Sequence, residues 1–168
     1  MPDDMVWFDK GDVRFMLCTR GVIIHRERVL LFNVVGWDWW GLPGGRVEMQ
    51  ETTEQALVRE MQEEISADVR VGRLLWVVEN FFNNGERDFH EVGMYYAVTV
   101  PEGSPILEEE EHRCQDGPVM LRFRWFPLSE LAAITLHPLF LKDGLTRIPE
   151  HTEHIVWREG VDTLTSAP

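Results

Sequence analysis

Gly41-Leu-Pro-Gly-Gly45-Arg-Val-Glu-Met-Gln-Glu51 runs into Thr52-Thr-Glu-Gln-Ala-Leu-Val-Arg59-Glu60-Met-Gln-Glu63-Glu64-Ile-Ser66-Ala67. A Gly/Pro-rich loop leads into an amphipathic helix. Thr52 and Thr53 stand where the helix begins, and Glu54 and Gln55 suit the positive end of its dipole. Leu57, Met61 and Ile65 recur every fourth residue and form a stripe for the core. Glu60, Glu63 and Glu64 share a neighbouring face, within an arc of about 100°. Like charges so placed cost a few tenths of a kcal/mol in water and more where partly buried. Solvent alone offsets that on an exposed face. The sharper reading is a divalent cation, since Mg²⁺ takes oxygen ligands from one or two carboxylates, water and substrate phosphates.

The spacing from Gly45 to Glu51 to Arg59-Glu60-Met61-x-Glu63-Glu64-x-Ser66-Ala67 resembles the signature of the Nudix hydrolases. That signature reads G-x5-E-x7-R-E-U-x-E-E-x-G-U, with U apolar. Ala67 meets its position loosely, and Ser66 stands where the pattern has Gly. Gly there supplies a left-handed helix cap, so Ser66 points to a local change of geometry at the helix end. The resemblance is tightest over 41–67 and weaker over about 14–100.

The resemblance implies an α/β fold, a mixed β-sheet sandwiched between helices. It implies metal ligation by Glu60, Glu63, Glu64 and a loop carbonyl, that of Gly44 or Gly45. It also implies that Glu51 pairs with Arg59 to orient loop and helix, with Gly45 as part of that support. The activity implied is Mg²⁺- or Mn²⁺-dependent hydrolysis of a nucleoside diphosphate linked to another moiety. The alternative is a catalytically silent domain that senses a nucleotide sugar. Members of the family often carry a further acid outside the signature. Glu91 and Glu79 are the candidates here, and Glu63 or Glu91 would take the proton from water.

Composition agrees with a small-molecule enzyme. The chain has 168 residues, which suits one domain, and is 44% hydrophobic with seven Trp and nine Phe. Its net charge of −13 argues against a protein that grips nucleic acid by its phosphates. No apolar run approaches a membrane span, and Met-Pro-Asp-Asp is no signal peptide, so the expectation is a cytoplasmic protein, with a homodimer open. Cys18 and Cys114 have no CxxC or zinc spacing and read as reduced thiols, Cys18 in a strand and Cys114 in a loop.

Outward from the signature, residues 1–12 read as a loose arm or a short edge strand anchored by Trp7. Residues 13–24 and 29–35 read as a hairpin with Gly21 at a bulge or bend. Gly36-Trp37-Asp-Trp-Trp-Gly41 joins it to the signature. Trp37 there is a candidate to stack on a base, and Arg46 to meet a phosphate. Strands are expected at 68–78, with a break at Gly72, and at 89–100 after an Asn84-Gly85 turn. His90 is a further candidate, to bind phosphate or tune Glu91. Residues 101–118 read as a surface loop whose run Glu108–Glu111 is either solvated or offers a base to the site. A strand at 121–126, a helix capped by Ser129, a short helix at 139–145 and an extended piece at 148–156 complete the chain, with 161–168 frayed. His151, Glu153 and His154 read as surface groups.

Overall fold

The computed structural model describes residues 4–159. The expected frayed tail lies outside them. Eight strands form one mixed sheet: β1 (Trp7–Lys10), β2 (Val13–His25), β3 (Arg28–Val34), β4 (Arg70–Asn83), β5 (Asp88–Thr99), β6 (Glu111–Asp116), β7 (Val119–Pro127) and β8 (Glu153–Arg158). Their order is β6-β7-β3-β2-β5-β4-β8, with β1 on the edge of β2. β2 and β5 run parallel, as do β4 and β8. Helix α1 (Thr53–Ile65) and the short α2 (Leu141–Gly144) lie on opposite faces.

Strand alternation separates the two cores. Ile23, Leu30, Tyr96 and Val98 meet Leu57, Met61 and Ile65 of α1. Their neighbours Val22, Val29, Leu31 and Tyr95 point the other way, against Leu131, Phe140, Leu141 and Leu145. Burying Leu57, Met61 and Ile65 contributes roughly 1.5–3 kcal/mol each, which outweighs the few tenths lost to carboxylate repulsion along the helix. An isolated helix of this length is marginal in water, so packing holds it. Gly21 is not a bend. It sits in unbroken register with Tyr96, and a Cβ there would lie 3.3 Å from Val98 and 3.5 Å from Leu57. The glycine lets α1 approach the sheet.

The ends of α1 follow its sequence. Thr52 Oγ accepts from the Gln55 amide at 3.1 Å, and Gln55 Oε1 accepts from the Thr52 amide at 2.9 Å, a reciprocal cap. Ser66 closes the helix in the left-handed region, with φ 52°. The expected change of geometry is therefore absent: serine adopts the conformation that glycine prefers, at a cost of about 1 kcal/mol. Ser66→Gly is expected to raise stability by about 1 kcal/mol in urea unfolding, with no change in slope.

Several boundaries differ from expectation. Of the two expectations for residues 1–12, β1 takes the edge strand, paired from Trp7·Met16 to Lys10·Val13. β4 carries register shifts between Val71 and Trp76, as the Gly72 break implied, but continues to Asn83. A third of the expected loop 101–118 is β6, which pairs with β7 around Gly117, at φ 51°. Its polar sequence hides an alternation: Glu111, Arg113 and Gln115 are exposed, while His112 and Cys114 are partly buried. Ser129 caps no helix. It lies within a 3-10 turn, Leu128–Ala133, that starts directly from Pro127 without a side-chain cap. Both cysteines are free, and Cys114 lies on β6 rather than in a loop.

Candidate active site

β2 and β3 diverge after pairing only at Ile24·Val29 and His25·Arg28. The loop 41–47 fills the gap. On one side the Gly45 carbonyl accepts from the Thr19 amide (2.9 Å), the Pro43 carbonyl accepts from the Gly21 amide (2.8 Å), and the Val47 amide donates to Leu17 (3.0 Å). On the other side, Gly41 and Phe32 exchange two hydrogen bonds of 2.9 Å. The two central glycines clear different neighbours. Gly44 has φ 134°, and a Cβ on it would meet the Thr19 carbonyl oxygen at 2.2 Å. A Cβ on Gly45 would fall 2.3 Å from the Glu60 carboxyl carbon.

Arg59 fastens α1 to this loop. Its guanidinium donates to both oxygens of Glu51 at 3.0 Å, to the Arg46 carbonyl at 3.1 Å and to Glu60 Oε1 at 2.8 Å. A longer contact of 3.4 Å reaches Glu63 Oε2. Glu51 in turn accepts from the Glu48 amide at 3.0 Å. The hydrogen bonds to Glu51 chiefly raise the proton affinity of Arg59. Desolvation pushes Glu51 upward, but the Arg59 hydrogen bonds and the Glu48 amide outweigh it, so its carboxyl sits below its ordinary value.

The three carboxylates beside this pair differ in surroundings. Glu63 is exposed. Glu60 is buried, and desolvation raises its pKa against the pull of Arg59. Glu64 is buried deeper still. Desolvation first, then Glu60, pushes it up to about 8, although Arg20 and the Gly44 amide oppose the shift. Its Oε2 is buried with no hydrogen-bond partner. Such an atom costs on the order of 1–3 kcal/mol or more in a folded protein. Among the described residues no three acidic, histidine or cysteine side chains close on one ion-sized point. The donor set nevertheless fits a hard divalent cation: three carboxylates, one of them with a buried orphan oxygen, beside a glycine cradle that a Cβ would fill. Of the loop carbonyls, those of Pro43 and Gly45 are spent on β2. That of Arg46 accepts from Arg59 of α1.

A cleft of about 660 Å³ opens on the sheet face opposite α1. Arg20 and Glu91 line it, joined by an ion pair of 2.9 Å across β2 and β5. Glu91 is only 3% exposed, and burial with the nearby Glu91 charge pushes the Tyr95 hydroxyl up beside it. The outer wall holds Trp37, which is 49% exposed and lies 4.9 Å from Trp39, and Phe82 stands among the other lining residues.

The model of the NUDIX domain matches residues 17–146. The chain belongs to the Nudix family. Among curated Nudix relatives, the 8-oxo-dGTP diphosphatase of Proteus vulgaris is 40% identical over 79 residues, covering 47% of this chain and 65% of that protein. Diphosphoinositol polyphosphate phosphohydrolase 2 of Homo sapiens is 32% identical over 115 residues, covering 68% and 56%. The chain thus spans less than two thirds of either relative. A MutT NUDIX hydrolase from Burkholderia pseudomallei superposes with TM-score 0.58 at 27% identity, covering 80% of this chain and 98% of that one. A UDP-X diphosphatase shares the fold, with TM-score 0.58 at 18% identity and coverage of 84% and 66%.

The Nudix signature residues Gly44, Gly45, Glu51, Arg59, Glu60, Glu63 and Glu64 therefore meet at one place without lining the cleft, while Glu91 and Trp37 line it together with Arg20, whose charge acts on Glu64. Two candidates stand elsewhere. Arg46 does not line the cleft and meets α1 through its carbonyl. His90 points to the opposite face from Glu91, because neighbours on a strand alternate; it stacks on Phe81 at 4.4 Å and meets Phe15 edge-on at 5.2 Å. Glu79 pairs with His154 of β8 at 2.9 Å. Arg20 is the residue that the sequence reading missed. Its signal was a cation between Thr19 and Gly21 at the centre of the strand, flanked by the apolar runs Phe15–Cys18 and Val22–Ile24. No helix among the described residues is long and apolar enough to cross a membrane.

Proposed function

We propose that this protein hydrolyses the diphosphate bond of a nucleoside diphosphate linked to another group. Mg²⁺ or Mn²⁺ would be held by Glu60, Glu63, Glu64 and the Gly44 carbonyl. The observation that carries the reading is the partnerless, buried Oε2 of Glu64 set among two further carboxylates and the glycine cradle. An acidic face without a cation would repel a diphosphate. A divalent ion, when bound, screens the phosphates and lowers the pKa of a coordinated water.

The protein's own groups supply the rest. Arg59, fixed by Glu51, sets the position of Glu60. Arg20 presents a cation to the diphosphate from the cleft, and Glu91 holds it in place. Trp37 offers its exposed face to a base. Water attacks one phosphorus in line, the bridging P–O bond breaks, and the water's proton passes to a carboxylate, Glu63 or Glu91. Because Glu63→Gln also removes a proposed ligand, the pH profile of kcat/KM in Glu91→Gln against wild type assigns that acceptor. The products are two phosphate monoesters, or a nucleoside monophosphate and pyrophosphate.

The test is product release from a panel of nucleoside triphosphates, ADP-ribose, dinucleoside polyphosphates and nucleotide sugars. The expected result is cleavage of one class with Mg²⁺ or Mn²⁺, none with EDTA, and a loss of about 10²–10⁴-fold in Glu63→Gln if it is the base. Cleavage that persists in EDTA, or a folded protein that binds Mn²⁺ and cleaves nothing in the panel, contradicts the proposal.

A further inference from the structure

Helix α1 ends one residue after two of its proposed ligands, and the last carbonyls of a helix have no partner within it. The amides of Ser66 and Ala67 both turn back to the Met61 carbonyl. The carbonyls of Glu63 and Glu64 are met from outside, by β6. His112 Nε2 lies 3.1 Å from the Glu64 carbonyl, and Cys114 Sγ donates to the Glu63 carbonyl at 3.4 Å. Residues two apart on a strand share a face, so β6 presents both side chains to consecutive carbonyls of the helix end. The last turn of α1 has no basic residue of its own. The His112 ring is itself held, with Nδ1 2.8 Å from Glu109 Oε2. Glu109 belongs to the acidic run that offered a base to the site, and it turns instead to this histidine.

We propose that His112 is a positioning residue: oriented by Glu109, it holds the C-terminal turn of α1 so that Glu63 and Glu64 present their carboxylates to the cation. This rests on the metal-binding reading above. Glu64 must keep its side chain buried against the cost of desolvation, and a loosened last turn lets it swing into water. Cys114 makes the weaker of the two contacts and supports the same turn.

The test is Mn²⁺ affinity, read from the spin-resonance signal of free Mn²⁺, with thermal melting alongside. His112→Ala is expected to bind Mn²⁺ about 10-fold more weakly, the scale seen when an outer partner of a metal ligand is removed. His112→Gln, whose amide can still donate to the Glu64 carbonyl, is expected to restore most of that loss. Gln115→Ala is the control. It removes the bonds of Gln115 to the Gly117 and Val119 carbonyls, loosening the same hairpin without touching α1, and should leave Mn²⁺ affinity unchanged. A folded His112→Ala with wild-type affinity overturns the proposal, and so does a Gln115→Ala variant weakened to the same degree. Should His112→Ala fail to fold, Glu109→Gln is read in the same way. Wild-type protein that binds no Mn²⁺ overturns the hydrolase reading and this inference with it.

Discussion

Glu64→Gln is expected to abolish turnover and, at pH 8, to make the metal-free protein more stable. The folded protein raises the Glu64 carboxyl from 4.5 to about 8, chiefly by burial. Below pH 4.5 folded and unfolded chains both hold the proton, and the group costs nothing. As pH rises through the interval up to about 8, the unfolded chain releases the proton and the folded chain retains it, so stability falls. Above it the full penalty of a buried charge is in place. The value of about 8 already includes the attraction to Arg20, so the shift itself bounds the gain at about 4–5 kcal/mol; glutamine still buries an unpartnered polar amide, which brings the net gain at pH 8 to about 2 kcal/mol, a rise in Tm of roughly 4–8 °C. The gain should vanish near pH 4.5. Excess Mn²⁺ should reverse the order, since binding stabilises only the chain that keeps the ligand. Melting curves at pH 4.5 and 8, with Mn²⁺ and with EDTA, check all three statements. A variant less stable than wild type in EDTA at pH 8 would show that the Glu64 site is not strained by its charge.

Gly45→Ala should do the opposite: leave stability nearly intact while activity collapses. The added Cβ would fall 2.3 Å from the Glu60 carboxyl carbon, but that carboxyl is the far end of a flexible side chain and can move aside. The backbone of Gly45 has no positive φ to forbid alanine. The expected cost in stability is below about 1 kcal/mol, within the range of unstrained substitutions. The displaced Glu60 no longer meets Arg59 and the cation as before, and a misplacement of about 1 Å costs on the order of 10²-fold in rate. Combining Gly45→Ala with Glu60→Gln should cost little beyond Glu60→Gln alone, because the two changes act through one carboxylate. Additive losses in kcat/KM would place the effect of Gly45 somewhere other than Glu60. Gly44 is different, since its added Cβ would strike the Thr19 backbone at φ 134° and no side chain can yield.

The helix and its carboxylates were legible because their geometry is local. Glu60, Glu63 and Glu64 share a face by helical period, and Glu51 with Arg59 lies within two turns and a cap. What was not legible is non-local or depends on which face of a strand is presented. Arg20 acquires its role only when β5 pairs in parallel with β2 and brings Glu91, 71 residues on, to 2.9 Å. His90 and Glu91 were read together, yet strand alternation sends them to opposite faces of the sheet. The sequence of β6 resembles a loop because its inward positions carry the polar His112 and Cys114 in place of apolar side chains. Three tryptophans in one loop gave no internal clue to their division: Trp40 is buried against Phe126, Trp39 packs on Phe32, and Trp37 is left half-exposed at the cleft.

The most direct test of the central claim is an equilibrium Mn²⁺ titration of wild type and Glu64→Gln at pH 7.5. Tight binding to wild type, weakened about 10-fold or more in the variant while the variant remains folded, is the expected result. Equal affinity in the two proteins would contradict the assignment of Glu64 as a ligand, and with it the metal site on which the proposed chemistry depends.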